Sequence, residues 1–250
     1  MIDRAAWHVG TVAATAAETP NARRIRLDVP GWPGNVAGQH LDVRLTAPDG
    51  YQASRSYSIA SAGSGSAIEL AVDKLPTGEV SPFLVDVLMS GDQVELRGPL
   101  GGWFVWEPPQ TDSPGPLRPV QLIAGGSGVV PFIAMISAHQ AAADPTDFRL
   151  LYAVRTPEDV FYTDELDQAQ QATAPLRIDT VYSRSTPPGW PVPAGRITRD
   201  RLAEAVIPPD RHPRLFVCGS TRFTEQILTW LSELGYDTSD VRAERFGGNA

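Results

Sequence analysis

The sequence is short of the residues from which metal sites and covalent frameworks are made. One residue in 250 is cysteine, Cys218, which excludes an internal disulfide and any four-cysteine zinc or iron–sulfur site. The four histidines, His8, His40, His139 and His212, are scattered with no His-x-x-x-His spacing, so no metal site is expected. Lysine is as scarce: Lys74 is the only one, and arginine supplies the other cations of the 21 that face 29 acidic side chains, for a net charge of −8. Neither half of the chain has the basic excess that phosphate contacts demand of a nucleic-acid binder. A long apolar run is missing too. The longest charge-free apolar stretch, residues 120–138, holds Gly125, Gly126, Gly128 and Pro131 in its middle, whereas a spanning helix needs about 20 predominantly apolar residues. The N-terminus lacks a basic start with an apolar core behind it, so no signal peptide is read there and a cytoplasmic protein is expected.

What is present is a globular composition, 42% apolar and 20% charged, arranged with two different periods. Up to about residue 107 the apolar residues alternate. Ile25, Leu27 and Val29 interleave with Arg24, Arg26 and Asp28; Leu41, Val43 and Leu45 with Asp42 and Arg44; Ile68, Leu70 and Val72 with Glu69, Ala71 and Asp73. Turn clusters such as Pro48-Asp49-Gly50 separate them, the pattern of a small antiparallel barrel or sandwich. The breaker-rich segment 108–116 reads as a linker. Beyond it, short apolar runs (120–124, 148–154, 178–182, 215–218) alternate with segments of helical character (131–143, 163–171, 198–205, 221–234), which predicts a parallel sheet covered on both faces. Two domains are expected, residues 1–112 and 113–250.

Three local motifs carry chemistry. Leu122-Ile123-Ala124-Gly125-Gly126-Ser127-Gly128-Val129-Val130-Pro131 runs from an apolar strand through three glycines into a helix. Such a turn lets the backbone approach a pyrophosphate and aims the helix N–H groups at it; a tight strand–helix connection is the competing reading. Arg55-Ser56-Tyr57-Ser58, read as following a strand and a turn, combines a phosphate-binding fork, a stacking ring and a hydroxyl donor. Gly78-Glu79-Val80-Ser81 opens a short helix and offers N–H groups and a hydroxyl to an anion, or else a plain Ser81 N-cap with Pro82 in the first helical turn.

Taken in this order, the motifs resemble those of the ferredoxin–NADP reductase family. The resemblance implies an antiparallel six-stranded Greek-key β-barrel that binds FAD, followed by a parallel-sheet α/β domain that binds NAD(P). It implies that Arg55 holds a flavin phosphate, that Tyr57 packs on the isoalloxazine, that Ser58 bonds near its reactive nitrogen, and that Ser56 is among the flavin-binding residues. By the same match Val72 and Lys74 line the flavin, and Gly78, Val80 and Ser81 form its pyrophosphate turn. Gly98-Pro99-Leu100-Gly101 resembles the turn that closes the barrel. Gly125, Gly126, Gly128 and Pro131 match the nucleotide loop, and Cys218-Gly219 stands where the family has a Cys-Gly pair beside the nicotinamide. Read from the residues alone, Cys218 sits at the carboxyl end of a parallel strand, a ligand position in open α/β sheets, or is simply a small buried hydrophobe.

Ser183-Arg184, with Arg155 after the preceding strand, resembles the pair that recognises a ribose 2′-phosphate, which favours NADPH while leaving NADH open. Glu244-Arg245-Phe246 resembles the family's Glu-x-aromatic ending, in which the ring covers the flavin and the glutamate lies beside it. Ser58, Cys218 and Glu244 are the candidate catalytic residues. FAD is expected ahead of FMN. The activity implied is hydride transfer from NADPH to the flavin, then electron transfer to a separate iron–sulfur, haem or molybdenum partner such as a ferredoxin or an oxygenase component. The alternatives are reduction of free flavin or ferric chelates, and a flavin- or nucleotide-binding subunit without turnover. A monomer is expected, with Arg23, Arg24 and Arg26 as a local basic patch for docking.

Overall fold

The computed structural model describes residues 6–109, 117–172 and 174–247. The expected boundary between residues 112 and 113, most of the breaker-rich segment and the tail beyond Gly247 lie outside the described residues. The chain divides into two compact units, Met1–Glu107 with Ile133–Ser137, and Pro108–Phe132 with Ala138–Ala250.

The first unit is built on six antiparallel strands, β1 (Trp7–Thr19), β2 (Ala22–Asp28), β3 (His40–Thr46), β4 (Gln52–Ser58), β5 (Ala67–Asp73) and β6 (Gln93–Leu100). Their order in the sheet is β4-β3-β6-β1-β2-β5, and a bridge from Ile59 to Leu70 joins the end of β4 to β5, so the sheet curls into a barrel. The alternation read from the sequence is the reason these segments are strands. Successive side chains point to opposite faces, and Ile25, Leu27, Leu41, Val43, Ile68 and Leu70 all turn inward to one buried core. Each such burial contributes about 1.5–3 kcal/mol. Gly98-Pro99-Leu100 lies inside the last residues of β6, where a turn was expected.

Between β5 and β6 the chain passes through the Gly78–Ser81 turn into a π-helical turn, Phe83–Val87. Leu84 inserts into the barrel core. Arg23 clamps this segment from β2, donating from Nη1 to the Val85 and Leu88 carbonyls at 3.0 and 2.7 Å and from Nη2 to Thr15 Oγ1 at 2.8 Å. The expected basic patch is therefore not realised. Arg23 is engaged by carbonyls, Arg24 pairs with Glu18, and Arg26 pairs with Glu69 at 2.8 Å.

The second unit alternates strand and helix: β7 (Val120–Gly125), α1 (Val130–Ala141), β8 (Phe148–Val154), α2 (Thr163–Gln171), β9 (Leu176–Tyr182), α3 (Arg199–Ala205), β10 (Arg214–Ser220), α4 (Thr221–Glu233) and β11 (Val241–Phe246). The strands form one parallel sheet in the order β11-β10-β7-β8-β9. Central β7 is buried along residues 120–124 without alternation, as expected where both faces are covered. The connections run outward from β7 to β9 and return to β10. The strand order thus reverses between β7 and β10, where open α/β sheets bind ligands at their carboxyl ends.

Candidate functional site

Within the barrel unit the candidate residues gather at the end of β4 and at the turn after β5. Arg55-Ser56-Tyr57-Ser58 lies within β4 itself, paired with β3 in the register Val43↔Arg55 to His40↔Ser58. The ladder sends alternate side chains to opposite faces. Arg55 is exposed, Tyr57 half-buried and Ser58 buried. Burial pushes the Tyr57 phenol well above its usual range, against the opposing charge of Arg55, so the ring is a neutral, half-covered plate. Ser58 Oγ is buried and has no hydrogen-bond partner among the described residues. A buried hydroxyl without a partner is costly unless something else supplies one. Ser56 is engaged within the protein: its hydroxyl donates to Asp42 Oδ1 at 2.6 Å.

The Gly78–Ser81 turn is tight. A Cβ at Gly78 would stand 3.1 Å from Ser81 Oγ and 3.2 Å from the Leu75 carbonyl. Ser81 does not cap the helix that follows; its Oγ accepts from the Leu75 N–H at 3.0 Å, leaving its own proton to donate elsewhere. Val72 and Val80 are fully buried in the barrel core, so what they present to a ligand is backbone. Lys74 is tied to Asp86, Nζ to Oδ1 3.1 Å. Sequence reasoning missed two residues here. Glu79 accepts from Arg55 at 3.2 Å and from the Tyr51 hydroxyl at 2.8 Å. The signal was a carboxylate in the middle of a turn read as an anion cradle.

Within the α/β unit the candidates line the carboxyl ends of the strands. The Gly125–Pro131 motif forms a 3-10 turn, Gly126–Val129, between β7 and α1, with Pro131 in the first turn of α1. Gly126 has φ +55°, a region that favours glycine. Gly128 packs onto β10: a Cβ there would lie 2.3 Å from the Cys218 carbonyl oxygen. Phe223, from the first turn of α4, covers the backbone of both Gly125 and Gly219, as a Cβ at either would fall within 2.8 Å of its ring. Nothing in the sequence marked Phe223 except its place at a helix start.

Cys218 is fully buried, and its thiol is pushed well up by burial, with the Glu244 charge adding to the shift. Glu244 stands opposite it on β11, and burial pushes its carboxyl up to about 7. Phe246 is half-buried and pairs in register with Ser220. Past the ends of β8 and β9, the N–H groups of Ser183 and Arg184 donate to the Val154 and Arg155 carbonyls at 2.9 and 2.8 Å. The Arg184 side chain is exposed, with no partner among the described residues. Arg155 is held by Asp159, Nη2 to Oδ1 3.0 Å. Among the described residues no cluster of three His, Cys, Asp or Glu side chains is placed to hold a metal, and no helix is long and apolar enough to cross a membrane.

Known proteins share the two kinds of domain. Residues 10–105 match the family described as an oxidoreductase FAD-binding domain, and residues 122–228 the one described as an oxidoreductase NAD-binding domain. Among curated proteins, methane monooxygenase component C of Methylosinus trichosporium is 35% identical over 159 residues, covering 64% of this chain and 42% of that protein. The chain spans about half the length of the first curated relatives it matches. Among solved structures, the Amycolatopsis cytochrome P450 reductase GcoB superposes with a TM-score of 0.82 at 26% identity, over 96% of this chain and 70% of that one. A ferredoxin NADP+ reductase from Neisseria gonorrhoeae with bound FAD and NADP gives 0.79 at 17% identity, over 96% and 98%, a likeness of fold.

Proposed function

This chain belongs to the ferredoxin–NADP reductase family, and from that premise we propose that it takes hydride from a reduced nicotinamide nucleotide, NADPH ahead of NADH, and passes electrons through FAD to a separate redox partner. The observation that carries the reading is Ser58, whose buried hydroxyl has no partner among the described residues and which follows the half-buried Tyr57 in the chain. A ligand with a flat heterocycle and ring nitrogens would give the one an acceptor and the other a stacking partner. The Gly78 turn, where a Cβ would be crowded by Ser81 Oγ and the Leu75 carbonyl, fits a phosphate at the N–H groups that follow Gly78, whose own N–H donates to the Leu75 carbonyl.

When bound, the flavin supplies the conversion of a two-electron donor into one-electron release, chemistry that no side chain here provides. The chain's own residues bind and orient. Arg55 meets phosphate, Tyr57 packs on the ring system, and Ser58 donates a hydrogen bond to a ring nitrogen. In the α/β unit the glycine turn holds the nucleotide pyrophosphate against the start of α1. Arg184, exposed and without a partner among the described residues, takes the ribose 2′-phosphate with Ser183; Arg155 joins only by releasing Asp159. Cys218 keeps its proton and serves by its size. Glu244, with a carboxyl that titrates near neutrality, holds a proton at the carboxyl end of β11.

The relatives point to the class of acceptor. One is named a component of a methane monooxygenase and one a cytochrome P450 reductase, which supports a partner that takes electrons one at a time for an oxygenase. An anaerobic titration of the purified protein with NADPH, read at the flavin absorbance band, tests the proposal. Stoichiometric bleaching is expected. A yellow protein that neither NADPH nor NADH bleaches overturns it.

A further inference from the structure

The arginine assigned to the flavin phosphate already has an anion. Arg55 Nη2 lies 3.2 Å from Glu79 Oε2, while Glu79 Oε1 accepts a 2.8 Å hydrogen bond from the Tyr51 hydroxyl. That bond holds the Tyr51 phenol above its usual range, so Tyr51 remains a donor and keeps the carboxylate aimed at Arg55. The two charged side chains are half exposed, 56% for Arg55 and 49% for Glu79, and are free to part.

The backbone under Glu79 is not free to move. Gly78 before it is packed against Leu75 and Ser81, and Val80 and Ser81 after it are buried. Ser81 is tied back to Leu75, and Arg23 clamps the helical turn that follows. Glu79 is therefore fixed in the middle of the turn that offers its N–H groups to phosphate. As the structure stands, the carboxylate lies 3.2 Å from Arg55, beside the place a phosphate would take. A phosphate arriving at Arg55 must displace one negative group and then lie beside it.

We propose that Glu79 is a built-in competitor for Arg55, which weakens the binding of phosphate-bearing flavins and makes the flavin exchangeable. The proposal rests on the flavin reading of Arg55 given above. Its physics is a like-charge penalty added to an ion pair that must be surrendered, both acting in a half-exposed setting where each is modest and screened by salt. The penalty follows the phosphate charge of the ligand. FAD and FMN are subject to it; riboflavin, which carries no phosphate, is not. An exchangeable flavin is also what a reductase of diffusible flavin requires, so Glu79 favours that second reading.

The test is the affinity of the flavin-stripped protein for FAD, FMN and riboflavin, read by quenching of flavin fluorescence in the wild type and in Glu79→Gln. The variant keeps an acceptor for Tyr51 and loses only the charge; near-ultraviolet circular dichroism checks its fold, and Glu79→Ala serves as a second variant. The expected result is FAD and FMN bound about five- to tenfold more tightly by Glu79→Gln at low salt, with the gain shrinking at about 0.5 M salt and riboflavin unchanged within about twofold. FAD bound by the wild type and no more tightly by either variant overturns the competitor. Weaker binding by the variants also overturns it, and shows the carboxylate accepting from flavin hydroxyls instead. FAD bound by neither wild type nor variants overturns the flavin reading of Arg55, and this inference with it.

Discussion

Cys218 and Glu244 face one another across the β10–β11 ladder, one fully buried and the other half-buried, and this pairing sorts their chemistry. Burial disfavours the charged form of both acids. The thiol rises well beyond physiological pH, while the carboxyl stops at about 7. Of the two, only Glu244 exchanges its proton near neutrality.

That shift makes stability depend on pH. The Glu244 carboxyl moves from 4.5 in its ordinary state to about 7 in the fold, so the folded chain holds the proton more tightly. The group's favourable contribution is complete below about pH 4.5 and is lost as the pH rises through about 7, by at most about 3 kcal/mol. Urea unfolding midpoints at pH 5 and pH 8 should show the wild type falling behind Glu244→Gln as the pH increases. Parallel midpoints would mean a carboxyl that titrates as if in water.

A protonated, buried thiol is a poor nucleophile. Iodoacetamide at pH 8 should label Cys218 far more slowly in the native protein than in the denatured one, by a factor of at least about 100. Comparable rates measured by mass spectrometry would exclude the burial described for it.

Ser58→Ala separates binding from folding. Because Ser58 Oγ has no partner within the described residues, its removal should leave the melting temperature of the flavin-stripped protein unchanged or raise stability by up to about 1 kcal/mol. Flavin affinity and hydride transfer should both fall. A clear loss of stability would mean that the hydroxyl is a structural donor.

The glycine turn predicts an order of damage. Gly128→Ala sets a methyl carbon 2.3 Å from the Cys218 carbonyl, part of a central ladder; Gly125→Ala meets the Phe223 ring, a side chain, at 2.8 Å. Thermal melting should show Gly128→Ala losing about 3 kcal/mol or more and Gly125→Ala less. The reverse order would place the turn away from β10.

Arg184→Ala should raise the Michaelis constant for NADPH about tenfold, the worth of one charged hydrogen bond, and change that for NADH by less than about twofold. Equal effects in steady-state assays would remove the 2′-phosphate assignment.

The sequence was most readable where one face of an element meets core and the other meets water. The alternation in 25–29, 41–45 and 68–73 marked β2, β3 and β5, and the helical segment read at 163–171 is α2. Legibility failed in β1, where alanine and threonine supply no alternation and a register shift between Val12 and Ala14 breaks the period. It failed in β4 for a different reason. Its polar residues Gln52, Ser54, Arg55 and Ser56 hide a strand, so the Arg55 motif was read as lying beyond one. Edge strand β11 carries two arginines and a glutamate among half-buried positions, and its pattern suggests no single face. Of the candidate site, spacing identified the motifs that act within one turn or strand. It could not identify contacts that join residues distant in sequence, such as Glu79 to Arg55 and Phe223 to Gly125.

The seat of Gly128 on the Cys218 carbonyl has a consequence for how a nucleotide binds. The turn between β7 and α1 is locked onto β10 by backbone contact, so its torsions are set when the sheet forms. Ordering a residue costs about 1–2 kcal/mol in lost backbone entropy, and here that loss falls on folding and not on the encounter. On the proposed reading, the nucleotide would meet a preorganised cradle, and little of its binding energy would be diverted to ordering the loop.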